Sequence, residues 1–101
     1  MKQDAIVIKT QDNIATALKD LEAGQTCRFV VGREYRSVTV KEPIAYGHKF
    51  AVVDIPCGGH IIKYGEVMGR ATRAIPQGSH AHIQNIESLR GRGDLKTKGA
   101  S

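Results

Sequence analysis

Residues 46–95 read YGHKFAVVDIPCGGHIIKYGEVMGRATRAIPQGSHAHIQNIESLRGRGDL, and this stretch decides the fold. Short β-branched and apolar runs, such as residues 50–55, alternate with turns rich in Gly and Pro. That alternation is typical of short strands joined by tight turns. All four histidines of the chain also lie here. We therefore expect a small β module that holds polar side chains in fixed positions.

The size of the chain limits the kind of site it can build. It has 101 residues, enough for one domain. A chain this short buries about 60–65% of the surface it exposes when unfolded, so its core is modest. We therefore expect a shallow site, or part of a site that a partner completes, rather than a deep cleft.

The net charge of +5 is unevenly placed along the chain. The basic residues after position 89 outnumber the acidic ones by three: Arg90, Arg92, Lys96 and Lys98 against Asp94. Residues 90–101 lack apolar periodicity, which predicts a flexible basic tail beyond a body formed by residues 1–89. The tail could dock on a partner, fold over an anionic ligand or merely solubilise the chain. The small excess suits an anionic substrate and is weak evidence for nucleic acid.

The N-terminal quarter predicts one short α-helix. Asp12 can cap its start, and Gly24 suits its end. The apolar residues between them follow helical spacing: Ile14, Ala17, Leu18 and Leu21.

Strands account for most of the remaining chain. The pattern predicts them at residues 5–9, 26–31, 35–41, 50–55, 61–62, 66–73 and 80–83. The sequence I-P-x-G occurs at 55–58 and 75–78, with a weaker L-E-A-G at 21–24. Pro at position i+1 and Gly at i+3 would suit a type I turn. The repetition suggests two related hairpin units.

Histidines provide the main candidates for chemistry. His80 and His82 point to the same face if their segment is a strand, so they could supply two metal ligands. A third ligand would come from His48 or, less readily, His60. His48 follows a flexible Gly and could instead transfer a proton or contact an anion. Polar histidines on an exposed strand or in a solvated loop are the alternative.

Other motifs are weaker. The Lys63-Tyr64-Gly65 turn could contact a carboxylate or be a plain surface turn. Cys27 and Cys57 lack metal-binding spacing and indicate reduced thiols. The sequence has no signal peptide and no membrane-spanning run, so we expect a cytoplasmic protein. Without a serine-nucleophile motif, P-loop or dinucleotide fingerprint, a complete enzyme is not expected in this chain.

Five segments in order resemble one known family. They are DNIATALKDLEAG at 12–24, GHKFAVVDI at 47–55, IIKYGEVMGRA at 61–71, IPQG at 75–78 and HAHIQN at 80–85. This series is similar to the SAF domain of the altronate/galactarate dehydratase family. The ending RGRGDL resembles versions that occur as a separate small subunit, and the small subunit of sulfolactate sulfo-lyase is also similar.

The resemblance implies a mainly β fold, the β-clip of SAF and antifreeze-like domains. It also implies a carbon–oxygen lyase that removes water from a sugar acid to give a 2-keto-3-deoxy acid. The chain would be its small subunit, inactive alone, with a separate large subunit as partner. A divalent metal ion, expected to be Fe²⁺, would be bound mainly by that large subunit.

Carried over residue by residue, the resemblance implies a catalytic His48 and metal ligands at His80 and His82. Lys49 and Lys63 would bind the substrate carboxylate. The five aromatic residues are not interleaved with the basic ones and no apolar run could span a membrane, so we expect no nucleic-acid or membrane partner, and a homo-oligomer is left open. The alternative function is a stand-alone SAF module that binds a carbohydrate or anion without catalysis.

Overall fold

The structure is a computed structural model that describes residues 3–88. The tail predicted for residues 90–101 lies outside the described residues. Residues 3–88 contain short strands and no helix, and so no helix that could span a membrane. The strands are β1 Ala5–Ile6, β2 Ile14–Ala17, β3 Thr26–Val31, β4 Glu34–Thr39, β5 Lys49–Ala51, β6 His60–Lys63, β7 Glu66–Ala71, β8 His80–Ala81 and β9 Ile86–Ser88.

These strands form three small antiparallel sheets. The first has the order β1-β2-β5-β8, the second is the β3-β4 hairpin, and the third has the order β6-β7-β9. The predicted mainly β fold of the β-clip class is confirmed. Several strands are shorter than predicted, since β1 ends at Ile6 and β5 at Ala51, and β9 was not predicted.

The predicted N-terminal helix is wrong, because its first turn is the strand β2. Ile14 pairs with Ala51 of β5, and Ala17 pairs with Ala5 of β1. Leu18, assigned to the apolar stripe, is 43% exposed. An isolated helix of two to three turns is marginal in water, whereas a strand bonded on both sides buries its small apolar side chains.

Asp12 organises a hairpin turn instead of capping a helix. It is 4% exposed, and its carboxylate accepts N–H bonds from Lys9, Tyr64 and Gly65 at 3.1, 3.0 and 2.8 Å. Tyr64 and Gly65 have φ of 58° and 76°, and positive φ at both central residues defines a type I′ turn. A buried carboxylate thus holds the tip between β6 and β7 from a distant segment.

One tight turn occurs four times. In each, a buried aliphatic residue is followed three positions later by a Gly with φ between 84° and 88°. The residue after each Gly donates its N–H to the carbonyl two residues before that Gly, at 2.8–3.0 Å. The four copies are Leu21–Gly24, Ile44–Gly47, Ile55–Gly58 and Ile75–Gly78.

The predicted repetition of this turn is confirmed, but the predicted turn type is wrong. Gly lies at position i+2 with positive φ, and the residue before it does not share that conformation in any copy within residues 3–88. These are features of a type II turn. Pro56 and Pro76 occupy position i, ahead of the bend. The copy at Ile44–Gly47, which like Leu21–Gly24 has no Pro, was not predicted.

The four turns pair to give two equivalent halves. Leu21 pairs with Ile44, and Ile55 pairs with Ile75, each through a two-way backbone bridge. The residue before each first turn is an aspartate. Asp20 accepts the N–H of Tyr46, and Asp54 accepts that of Gln77, both at 2.8 Å. The two apolar cores follow this division, one around Phe29 and Phe50 and one around Ile55, Ile61 and Ile75.

Candidate functional site

The second and fourth turns bring three histidines together. His48 directly follows Gly47, and His80 lies two residues after Gly78. The strands that begin there, β5 and β8, are neighbours, with Phe50 opposite His80 and Lys49 opposite Ala81. Sheet pairing therefore closes a separation of 32 residues in sequence between His48 and His80.

The imidazoles of His48, His80 and His82 form a triangle. Their ring centroids are 5.3, 5.5 and 5.6 Å apart. The rings of His48 and His80 are close to parallel, with an interplanar angle of 18°, and the ring of His82 is steeply inclined to both, at 75° and 85°. We call these three residues the histidine cluster.

His80 lies in the middle of a line of polar contacts. Its Nε2 is 3.1 Å from Nδ1 of His48. Its Nδ1 is 3.1 Å from the side-chain nitrogen of Gln84. Both ring nitrogens of His80 are therefore engaged by other side chains.

Asn85 fixes the backbone that carries the cluster. It is 7% exposed, its Oδ1 accepts the N–H of His82 at 2.9 Å, and its Nδ2 donates to the carbonyl of His80 at 2.8 Å. The carboxylate of Glu42 accepts the N–H of His80 at 2.9 Å. The segment is thus held from two directions.

Asn13 makes the same pair of bonds at a second place in the molecule. Its Oδ1 accepts the N–H of Ile62 and its Nδ2 donates to the carbonyl of His60, both at 2.8 Å. Each asparagine bridges residues n and n+2 of a strand-like segment. This pair of asparagine bonds, which we call the clamp, is therefore a scaffold feature, and what differs between its two copies is the set of side chains that it positions.

Comparison with known proteins identifies the family of this chain. Residues 3–89 match the family model described as "Altronate/galactarate dehydratase SAF domain". The chain belongs to this SAF-domain family. Altronate dehydratase of Escherichia coli (strain K12) is 41% identical over 83 residues, which are 82% of this chain and 16% of that protein. Galactarate dehydratase (L-threo-forming) of the same organism is 47% identical over 76 residues, covering 73% and 13%.

A relative of similar length is a lyase subunit. The (2R)-sulfolactate sulfo-lyase subunit alpha of Chromohalobacter salexigens is 32% identical over 93 residues, which are 89% of this chain and 99% of that protein. By contrast, the chain spans about a sixth or less of the two Escherichia coli dehydratases. The SAF domain therefore occurs both within long enzymes and as a polypeptide of this size.

Burial lowers the pKa of His80 below its usual value. Desolvation is the main cause, and the neighbouring His82 and His48 add to it. The carboxylate of Glu42 opposes them. The lowered pKa favours the neutral form of the His80 ring.

Two depressions flank the cluster. One has a volume of about 510 Å³, and His48, His80, Asp20 and Glu22 contribute to its wall. The other has a volume of about 220 Å³, and Lys49, His82 and Ile83 are among its lining residues. Asp20 and Glu22 bring negative charge to the first depression, whereas Lys49 brings a positive charge to the second that suits a carboxylate.

The structure unites most of the site residues predicted from sequence. His48, His80 and His82 form the cluster, and Lys49 borders it. Lys63 lies elsewhere, on the β6–β7 hairpin, with its Nζ 4.6 Å from the centre of the Tyr64 ring. His60 is also on β6, opposite Arg70.

Sequence reasoning missed Gln84, Asn85 and Glu42. Gln84 and Asn85 lie within the quoted HAHIQN segment, and an Asn three residues after a His is a local signal of a side-chain-to-backbone turn. Glu42 contacts His80 across 38 residues, and no local pattern indicates that contact.

The cluster does not by itself form a metal centre. In the described part of the chain, no group of three or more His, Cys, Asp or Glu side chains is arranged to hold a metal ion. His48 and His80 direct nitrogens at each other instead of at a shared point. Further ligands from outside residues 3–88 would be needed for such a site.

Proposed function

We propose that this chain is the small subunit of a sugar-acid dehydratase of the altronate/galactarate type. It would contribute the histidine cluster to a site that a separate large subunit completes. The observation that carries the proposal is the cluster itself, held at the surface of an SAF domain beside a lysine. The lyase subunit alpha, matched over 99% of its length, supports a separate polypeptide of this kind.

The reaction would be loss of water next to a carboxylate. A base removes the proton at the carbon beside the carboxylate, the C–O bond at the next carbon breaks, and an acid at that oxygen supplies the proton with which the hydroxyl leaves as water. The resulting enol rearranges to a 2-keto-3-deoxy acid. In this proposal His48 faces the departing oxygen, and Lys49 pairs with the carboxylate of the substrate.

The proposal gives Lys63 and the divalent metal ion a smaller part in this chain than the family resemblance implies. Lys63 is left out of the proposal, because its ammonium group lies over the Tyr64 ring on a different hairpin. A divalent ion, expected to be Fe²⁺, is assigned mainly to the large subunit, because the arrangement of residues 3–88 does not provide a centre for it. His82 would face that ion without holding it alone, whereas His80 is left out as a ligand because both of its ring nitrogens contact other side chains.

Reconstitution tests this proposal. The purified chain is mixed with its candidate large subunit and ferrous iron, and formation of 2-keto acid from altronate or galactarate is measured. We expect turnover to require the chain, and His48→Ala to reduce it by roughly 10²–10⁴-fold, the usual contribution of a positioned acid or base.

His60→Ala is the matched control, since His60 is exposed and belongs to the other half of the domain. The proposal fails if the large subunit turns over equally well alone. It also fails if His48→Ala and His60→Ala behave alike.

A second candidate is a carbohydrate- or anion-binding module without catalysis. The depression beside Lys49 and His82 favours this second function, because this chain alone supplies both the cationic and the polar side chain there. Calorimetry with galactarate and the isolated chain tests this reading. Binding that is lost in Lys49→Ala would support it, and no measurable heat at millimolar ligand would exclude it.

A further inference from the structure

Gln84, His80 and His48 form a continuous line of three polar side chains. The Gln84 amide nitrogen is 3.1 Å from His80 Nδ1, and His80 Nε2 is 3.1 Å from His48 Nδ1. Each link joins two nitrogens, so each needs one nitrogen with a proton and one with a free lone pair.

The first link decides all the others. An amide NH₂ group can only donate, so Nδ1 of His80 must accept and carry no proton. A neutral His80 then holds its proton on Nε2 and donates it to His48. Nδ1 of His48 must therefore be the acceptor, and the proton of a neutral His48 is on Nε2.

We propose that Gln84, acting through His80, is a positioning residue that fixes His48 in the tautomer with the proton on Nε2. His48 then meets its ligand as a hydrogen-bond donor and not as a base. The tautomer follows from the contacts of this chain alone. Its use in a dehydratase rests on the function proposed above.

Backbone hydrogen bonds hold His80 in place between Gln84 and His48. Asn85 donates to the His80 carbonyl at 2.8 Å, and Glu42 accepts the His80 N–H at 2.9 Å, so the residue is held by its backbone. Burial and the two neighbouring imidazoles lower the pKa of His80, which favours the neutral ring that this pattern requires.

In the proposed elimination, the donor at the departing oxygen and the base at carbon would be different residues. An Nε2–H donor suits the departing hydroxyl oxygen, whereas it has no lone pair on that nitrogen with which to take the proton from carbon. Removal of that proton is thereby assigned to a residue other than His48. His48 is the group that contacts substrate, and Gln84 and His80 only orient it.

The experiment is nitrogen NMR on the ¹⁵N-labelled full chain, at a pH where the histidines are neutral. Two-bond ¹⁵N–¹H correlations report which ring nitrogen carries the proton. We expect His48 to show protonated Nε2 and bare Nδ1, with a preference of roughly tenfold, the scale of one hydrogen bond.

Gln84→Glu should invert the pattern, because a carboxylate only accepts. His80 would then place its proton on Nδ1, and His48 would place its proton on Nδ1 as well. Gln11→Glu is the matched control, since it makes the same charge change at an exposed position on a different segment. Gln84→Met, which removes the donor with little change in size, should leave His48 as a mixture of tautomers.

Backbone amide spectra establish that each variant is folded before its tautomer is read. The proposal is overturned if wild-type His48 carries its proton on Nδ1 or averages between tautomers. It is also overturned if folded Gln84→Glu and Gln84→Met both leave the wild-type pattern. The measurement uses no substrate and no second subunit, so its outcome is independent of whether dehydratase activity is found.

Discussion

Replacing Asn85 by Ala should disconnect the histidine cluster from its scaffold. The change removes the acceptor for the His82 N–H and the donor to the His80 carbonyl. A side-chain hydrogen bond contributes about 1 kcal/mol net, and leaving its buried partner unsatisfied adds up to roughly 1–3 kcal/mol. Because water can reach part of this segment, we expect a loss of about 2–4 kcal/mol from the free energy of unfolding.

Urea denaturation measures the loss of unfolding free energy. NMR signals of the imidazoles report whether the environment of the histidine cluster changes. Asn13→Ala is the matched control, because Asn13 makes the same two bonds to His60 and Ile62. Asn13 is less buried than Asn85, so its loss should be at the lower end of the same range. The imidazole signals of His80 should change in Asn85→Ala and stay unchanged in Asn13→Ala.

Either of two results would contradict this role of Asn85. One is a loss below about 1 kcal/mol in Asn85→Ala, which would mean that the clamp is not a structural support. The other is an equal response of the imidazole signals to both substitutions, which would mean that the clamp does not position the cluster.

Four further predictions concern two turn residues, the two thiols and the pH dependence of stability. Asp12→Ala removes a carboxylate that accepts three backbone N–H bonds and should lower the free energy of unfolding by about 3–5 kcal/mol in urea titrations; a loss near zero would contradict its assigned role. Tyr64→Asn should raise it by about 0.5–1 kcal/mol, because Asn tolerates the φ of 58° that Tyr64 adopts, and an unchanged midpoint would count against strain there. A thiol reagent should modify exposed Cys57 rapidly in the native protein and spare Cys27, whose pKa burial raises to about 12; equal rates would be inconsistent with that burial. Because the pKa of His80 is lowered from 6.5, the unfolded chain gains a proton before the folded one, so stability should be full above pH 6.5 and fall as the pH drops below it, a slope that His80→Gln should reduce.

The sequence indicated the turns and strands well, because those signals are local. Gly24, Gly58 and Gly78 marked three of the four repeated turns, and residues 26–31 form a strand with the predicted bounds. The helix failed for a non-local reason. Ile14 and Ala17 have helical spacing, but hydrogen bonds from β1 and β5 outweigh so short a helical pattern.

The candidate site was predictable in its members and not in its connections. The spacing of His80 and His82 suggested a common face, and they do share the cluster with His48. The contacts that give the cluster its chemistry join distant positions, such as Glu42 with His80. The direction of the Gln84 amide depends on packing, which single-residue patterns do not encode. The division into a body at 1–89 and a tail at 90–101 stays a prediction.

The doubled architecture has a consequence for how such a site could arise. His48 follows a turn of one half, and His80 follows a turn of the other, so neither half alone contains both imidazoles. A peptide of half this length would have to associate with a copy of itself to bring them within reach. Joining the halves in a single polypeptide frees each from the constraints of symmetry, which allows the residues two positions after the matching turns, Lys49 and His80, to differ.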